Sequence, residues 1–198
     1  MNTSVHSEHA RPLVADDHGL LIGSAAGDGL YLLSRWDGSV LMHFPAEGSS
    51  VESPATWFED RVIFTDVGGR TWSYQLDGTF LWKHVSGAPI LVEPVVHDGL
   101  VFVTNVDDLA VALDAYTGEL AWRYQHPKDL SREAELALYA APPAVIVKEE
   151  VLLGFSDGTL VGMDYRGGEK LWSKAIGEGR YPDLVAEPVA HGPDLFTS

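Results

Sequence analysis

Between residues 92 and 125 the chain passes through four short β-rich runs, 92–96, 100–105, 109–114 and 119–125, broken at His97-Asp98-Gly99, Asp107-Asp108 and Tyr116-Thr117-Gly118. Short apolar runs punctuated by Gly, Asp and Asn predict strands joined by tight hairpins, and hence a four-stranded antiparallel unit. The pattern recurs. "PVVHDGLVFVTNVDDLAVALDAYTGELAWRYQ" from Pro94 aligns with "PATWFEDRVIFTDVGGRTWSYQLDGTFLWKHV" from Pro54 and with "PAVIVKEEVLLGFSDGTLVGMDYRGGEKLWSKAI" from Pro143. A copy with a longer middle turn begins at Pro12, and "PVAHGPDLFTS" starts a fifth at Pro188. These prolines lie 42, 40, 49 and 45 residues apart, a period that suits propeller repeats rather than ankyrin or leucine-rich units. No good helical period interrupts the series. The predicted fold is therefore all-β, a β-propeller of four-stranded antiparallel blades, with four blades and the start of a fifth.

Each unit ends on one further signal. Gly78 is followed four residues later by Trp82, Gly118 by Trp122, Gly168 by Trp172, and Gly38 by the large apolar Met42. A three-residue hairpin commonly needs one left-handed residue, which glycine adopts at least cost. The turn then fixes the register of the last strand, so the fourth residue always points to one face, where a tryptophan can lie flat against the neighbouring blade. A β-sandwich would not need such a signal at every unit's end.

The expected organisation is a polar, flexible segment over 1–11, blades over about 12–48, 49–88, 89–126 and 139–177, an insertion over 126–142, and the start of the next blade over 184–198. The fifth copy stops in what should be its second strand, so the chain reads as part of a longer protein. With 29 Asp and Glu against 13 Lys and Arg, the net charge of -16 repels phosphate backbones and anionic lipid headgroups, which argues against nucleic acid as a partner. The absence of cysteine excludes disulfides, thiolate metal sites, cysteine nucleophiles and a lipid-modified cysteine within this chain. The first residues lack the apolar region of a signal peptide, and no run approaches eighteen apolar residues, so no direct membrane insertion is expected of this chain.

Ala112, Asp114, Thr117, Gly118 and Trp122 in "ALDAYTGELAW" resemble the tryptophan-docking repeat of quinoprotein-type propellers. In the other copies Trp72 and Gly162 take the alanine position, Ser34 and Tyr74 the aspartate position, and Met42 the tryptophan position. The resemblance implies a ring of about seven or eight blades. It also raises an enzymatic alternative, a dehydrogenase holding pyrroloquinoline quinone over calcium. Such enzymes usually carry an adjacent cysteine pair, which is missing here. Asp107-Asp108 reads as a solvated hairpin turn rather than a calcium site, which needs six or more converging oxygens. No cofactor is therefore expected, neither quinone nor calcium.

Other catalytic patterns are missing: there is no Gly-x-Ser-x-Gly elbow, Walker loop or His-Glu-x-x-His. His6 and His9 have ligand-like spacing but sit in the polar terminus, and His97 and His191 fall in or beside repeat turns. The chain thus reads as a binding scaffold, and the search for its site moves to connections that break the repeat. The longest, "YQHPKDLSREAELALYAAPP", carries Leu130, Leu136, Leu138 and Tyr139 among charges. Leu130, Ala134 and Leu138 suit a helix, whereas Leu136 and Leu138 suit a strand packed on the blade.

Over most of 12–198, the order of units, this connection and "GRYPDLVAEPV" before the fifth unit resemble the BamB family of outer-membrane assembly lipoproteins. The resemblance implies the periplasmic face of the outer membrane and a protein partner, the central barrel subunit of the assembly machinery. It also assigns the partner site to Leu136 and Leu138, matched if one loop residue is skipped, with Tyr139 where an arginine is usual. Asp183 matches the first aspartate of an Asp-Val-Asp motif whose second aspartate is replaced by Val185. A sensor propeller outside the cytoplasm is a further alternative.

Overall fold

The computed structural model describes residues 13–15, 19–127, 142–176, 189–191 and 194–196. They form four antiparallel sheets of four strands and one two-stranded hairpin. The first sheet holds β1 (Leu13–Ala15), β2 (Gly19–Gly23), β3 (Gly29–Leu33) and β4 (Val40–Pro45). The second holds β5 (Thr56–Phe58), β6 (Arg61–Thr65), β7 (Arg70–Gln75) and β8 (Phe80–Val85). The third holds β9 (Val95–His97), β10 (Leu100–Thr104), β11 (Leu109–Asp114) and β12 (Leu120–Gln125), and the fourth β13 (Val145–Val147), β14 (Glu150–Gly154), β15 (Thr159–Asp164) and β16 (Lys170–Ala175). The hairpin pairs β17 (Val189–His191) with β18 (Asp194–Phe196) at the start of the fifth unit.

Every sheet is a meander in chain order, and β5 and β9 approach one another, so the first strand of each blade is innermost. The middle strands β6, β10, β11, β14 and β15 are buried on both faces, which explains their near-continuous apolar runs, whereas the equally buried β7 carries Thr71 and Ser73. In β6, Val62 and Phe64 join Phe44, Leu30 and Leu32 of the first blade, while Ile63 joins Val101, Val111 and Leu113 of the third. In β10, Phe102 turns the other way and packs with Val151, Leu153 and Met163 of the fourth. The core is thus a series of seams between blades rather than one centre.

The first strand of the third unit begins later than its apolar run predicts, at Val95 rather than Val92. Pro94 has no N–H to donate to the ladder. Carbonyls of this stretch turn to the previous blade instead: Val92 O accepts from Thr65 Oγ1 at 3.0 Å, and Pro94 O accepts from Thr56 Oγ1. The next strand ends at Thr104, and Glu119 lies in the turn before β12.

The last hairpin differs from the expected three-residue form in three of the four blades. Asp114 N donates to Glu119 O and Gly118 N to Asp114 O, which encloses a four-residue loop; Ser34 and Ser39, and Asp164 and Glu169, close the same loop in the first and fourth blades. Only the second blade has the shorter turn, between Gln75 and Thr79. This one-residue difference corrects the alignment of the second copy. Ser73, not Trp72, pairs with Trp82 as Ala112 pairs with Trp122, and Gln75, not Tyr74, stands where Asp114 does.

A β-bulge comes after each of these hairpins. Val40 and Met42 face Leu33 and Leu32, Phe80 and Trp82 face Tyr74 and Ser73, and the same skip recurs at Ala121 and Leu171. A bulge adds one unpaired residue and re-aims the rest of the strand. The Gly-to-Trp distance is therefore held by a turn and a bulge together.

Candidate interaction surface

The docks between blades set how the described blades stand side by side. Trp82 of the second blade lies on the hairpin of the third: its Nε1 donates to Ala115 O at 3.1 Å, and a Cβ built on Gly118 would fall 2.6 Å from indole carbons Cδ2 and Cε3. Trp122 repeats this on the fourth blade, donating to Tyr165 O at 2.8 Å with its Cγ 2.5 Å from a Cβ built on Gly168. Met42 of the first blade brings its sulfur to 2.8 Å from a Cβ built on Gly78. Each glycine therefore serves two needs, a left-handed φ of 88°, 73° or 70° at Gly78, Gly118 and Gly168, and room for the side chain arriving from the blade before.

Trp172 is placed differently. It folds over Gly162 of its own blade, and its Nε1 donates to Glu150 Oε2 at 2.7 Å. Gly162 stands opposite it in the ladder where Ala112 faces Trp122, and the missing methyl opens that space.

Asp114 shapes the receiving turn. Its Oδ1 accepts from Tyr116 N at 2.9 Å, Thr117 N at 2.8 Å and Thr117 Oγ1 at 3.1 Å, an Asx turn that explains the Asp-x-x-Thr-Gly order. Ala112 is fully buried in the seam with the fourth blade, where a larger side chain would collide with its partner Trp122.

Antiparallel meanders place the turns after first and third strands at one face of the arc, and the turns after second strands, with the connections between blades, at the other. On the connection face, Asp108 corrects the expectation of a solvated acidic pair. It is 4 % exposed and left-handed, with φ 58°, where the other blades carry Gly27, Gly69 and Gly158. Its carboxylate crosses the seam and accepts from Ser156 N at 3.0 Å and Ser156 Oγ at 2.6 Å. Its carbonyl accepts from His126 N at 3.0 Å.

His126 begins the long connection and is also held. Its ring stacks on Phe155 with centroids 4.4 Å apart, and its Nε2 lies 2.9 Å from Asp157 Oδ2. Burial pushes the Asp157 carboxyl up, but hydrogen bonds from His126 and Thr159 outweigh it and leave the group below the ordinary carboxylate range. On the opposite face, Asp98 is lowered by the Tyr165 hydroxyl, which donates at 3.0 Å, and by Arg166, at 2.7 Å.

Leu136, Leu138, Tyr139 and Asp183 lie outside the described residues, as do His6 and His9, the 1–11 segment, most of the 126–142 insertion and the start of the 184–198 segment. Among the described residues no three His, Asp or Glu side chains converge as metal ligands, and no helix is long and apolar enough to cross a membrane.

Four-stranded meander blades, joined by a large apolar side chain laid on the next blade's hairpin glycine, define a propeller of quinoprotein-type repeats. A family model described as outer membrane protein assembly factor BamB matches residues 26–198, and the chain belongs to this family. BamB of Burkholderia pseudomallei is 34% identical over 114 residues, covering 56% of this chain and 27% of that protein. Quinohemoprotein alcohol dehydrogenase ADH-IIG of Pseudomonas putida is 36% identical over 106 residues, 53% of this chain and 14% of that one. Among solved structures, BamB from Moraxella catarrhalis superimposes with a TM-score of 0.80 at 15% identity, over 98% of this chain and 59% of that one. The computationally designed Ika8 protein gives 0.75 at 15% identity, over 94% and 54%. The chain thus spans a minor part of these curated relatives and little more than half of the matched structures.

Proposed function

We propose that this chain is a non-catalytic scaffold that holds a protein partner during assembly of outer-membrane β-barrel proteins, at the periplasmic face of that membrane. The observation that carries the reading is the BamB family match over 26–198, which includes both connections that interrupt the repeat. The reading places partner contacts at Leu136, Leu138, Tyr139 and Asp183, takes the central barrel subunit as partner, and needs neither nucleic acid nor a cofactor. It is supported by the structural use of polar groups: Asp66 is bonded to Trp72 within the second blade, and Asp98 and Asp108 are bonded to Arg166 and Ser156 across the seam between the third and fourth. Replacing Leu136 and Leu138 by charged residues should abolish capture of the barrel subunit while the thermal transition stays put. Unchanged capture would overturn the site.

A dehydrogenase is the second reading, favoured by the similarity to the Pseudomonas putida alcohol dehydrogenase. In that reading the quinone and calcium ligands would come from residues other than the innermost strands Thr56–Phe58, Val95–His97 and Val145–Val147, which carry no carboxylate. Saturable uptake of pyrroloquinoline quinone with calcium by the complete gene product, coupled to alcohol-dependent dye reduction, would favour the enzyme over the scaffold.

A further inference from the structure

The seam between the first and second blades is closed by a thioether where the next two seams use an indole. Trp82 and Trp122 donate their ring N–H to Ala115 O and Tyr165 O. Leu76 holds the same place in the second blade: its N–H donates to Asp60 O at 3.2 Å, as Ala115 N donates to Gly99 O and Tyr165 N to Glu149 O. Met42 comes to this hairpin with no N–H to offer. Its sulfur is the atom nearest a Cβ built on Gly78, at 2.8 Å, with Cε and Cγ at 3.7 and 3.9 Å.

Met42 is only partly buried, and it packs against the cluster that holds Leu32, Trp72 and Tyr74. Met163 is the opposite case, fully buried among Phe102, Val151 and Leu153 in the seam between the third and fourth blades. Oxidation of a thioether follows its access to the oxidant, so these two methionines differ in the property that governs the reaction.

We propose that Met42 is a site of sulfoxide modification by peroxides, and that the modification releases the first blade from Gly78 while both tryptophan docks stay closed. With hydrogen peroxide, a lone pair of Met42 Sδ attacks one oxygen and the O–O bond breaks as the S–O bond forms. Sulfur loses two electrons, the peroxide gains them, and the second oxygen leaves as water with both protons. The product is polar and chiral, and its oxygen accepts hydrogen bonds without a hydrogen to give. The N–H groups of Leu76, Gly78 and Thr79 are already bonded, to Asp60 O, Gln75 O and Asp77 Oδ1, and have no hydrogen left for it. Burying an acceptor without a donor is unfavourable, so the sulfoxide turns outward and the contact with Gly78 is lost. The same seam is also held by bonds that contain no sulfur, from Tyr74 OH to Pro45 O at 2.7 Å, Val67 N to Ser50 O at 3.0 Å and Lys83 Nζ to Glu47 at 2.9 Å. The release is therefore local to the hairpin, and it is independent of which partner the connections hold.

The test treats the complete gene product with hydrogen peroxide and follows each methionine by peptide mass. Met42 should gain oxygen at least about tenfold faster than Met163; comparable rates would overturn the assignment. Amide hydrogen exchange reads the consequence. Once Met42 is oxidised, exchange in the Gln75 to Thr79 hairpin should quicken about tenfold, while the hairpins of Gly118 and Gly168 keep their parental rates. Methionine sulfoxide reductase should restore the slow exchange. Met42→Leu keeps an apolar side chain without sulfur, and peroxide should leave its exchange unchanged; acceleration in M42L would place the effect at another residue. Unchanged exchange in the hairpin of protein fully oxidised at Met42 would show that the dock accepts the sulfoxide, and would overturn the release.

Discussion

Gly118→Ala tests the double role assigned to the hairpin glycines. The new methyl would meet the Trp82 indole at 2.6 Å, whereas ordinary contact begins near 3.4 Å, so the ring must withdraw by nearly an ångström from a bed of backbone. Left-handed strain alone costs an L-residue about 1–2 kcal/mol. Complete loss of a buried Trp side chain costs about 3–5 kcal/mol, and partial displacement about half of that. The total is about 3–4 kcal/mol, or roughly 10 °C in Tm for a chain of this size. Gly48→Ala isolates the strain, since Gly48 has φ 70° and nothing within 4 Å of a Cβ, and should lose only about 1–2 kcal/mol. Urea unfolding of both variants, and of each combined with Trp82→Ala, completes the cycle. If G118A and G48A agree to within about 0.5 kcal/mol, or if G118A and W82A add without coupling, the glycine is not the receiving surface of the dock.

Asp108→Gly should destabilise the chain by about 1–3 kcal/mol, because losing the carboxylate that holds Ser156 outweighs relief of a left-handed aspartate; a variant as stable as the parent would show that the clamp contributes nothing. Asp157 predicts a pH dependence with a defined sign. Its carboxyl is below the ordinary range in the folded chain, so its contribution is present above that range and lost as pH falls through the folded value. Urea midpoints taken from about neutral pH to about pH 3 should fall less steeply for Asp157→Asn than for the parent, and parallel slopes would remove this residue from the acid response.

Much of the fold is legible from periodicity, because a blade cannot bury its faces alone and must repeat the same devices at the same spacing. The four-residue distance from Gly118 to Trp122 reveals the dock, but not that Gly118 receives Trp82 while Trp122 goes to Gly168; that pairing exists only once blades stand side by side. The bulges are silent in sequence, since Leu41, Leu81, Ala121 and Leu171 are ordinary strand residues. Counting back from Gly78 misassigns Trp72 and Tyr74, because the count assumes that hairpin lengths are equal. Asp108 did leave a signal: an aspartate where three other units have glycine implies a left-handed residue held by a bond. Leu136, Leu138, Tyr139 and Asp183 have no comparable internal signal. The roles proposed for them rest on resemblance, since Leu130, Ala134 and Leu138 suit a helix while Leu136 and Leu138 suit a strand.

Under the scaffold reading, function and fold are carried by different parts of the chain. An alcohol dehydrogenase and a BamB protein match it at 36% and 34% identity over about half its length. Similarity shared by two activities does not choose between them, and under the scaffold reading the difference lies in the connections that interrupt the repeat. The long connection is such a segment, and its root is firmly held. His126 is fixed by its N–H to Asp108, its ring to Phe155 and its Nε2 to Asp157, while Asp108 itself is tied to Ser156 across the seam. A binding loop loses less entropy on docking when its base is already fixed. Under the scaffold reading, weakening this root through His126→Ala should therefore slow or weaken partner capture even though the leucines are intact, and the loss should be smaller than that caused by charging Leu136 and Leu138. Capture measured by surface binding kinetics separates the cases. An H126A variant with parental rates would show that the connection does not depend on the seam from which it leaves.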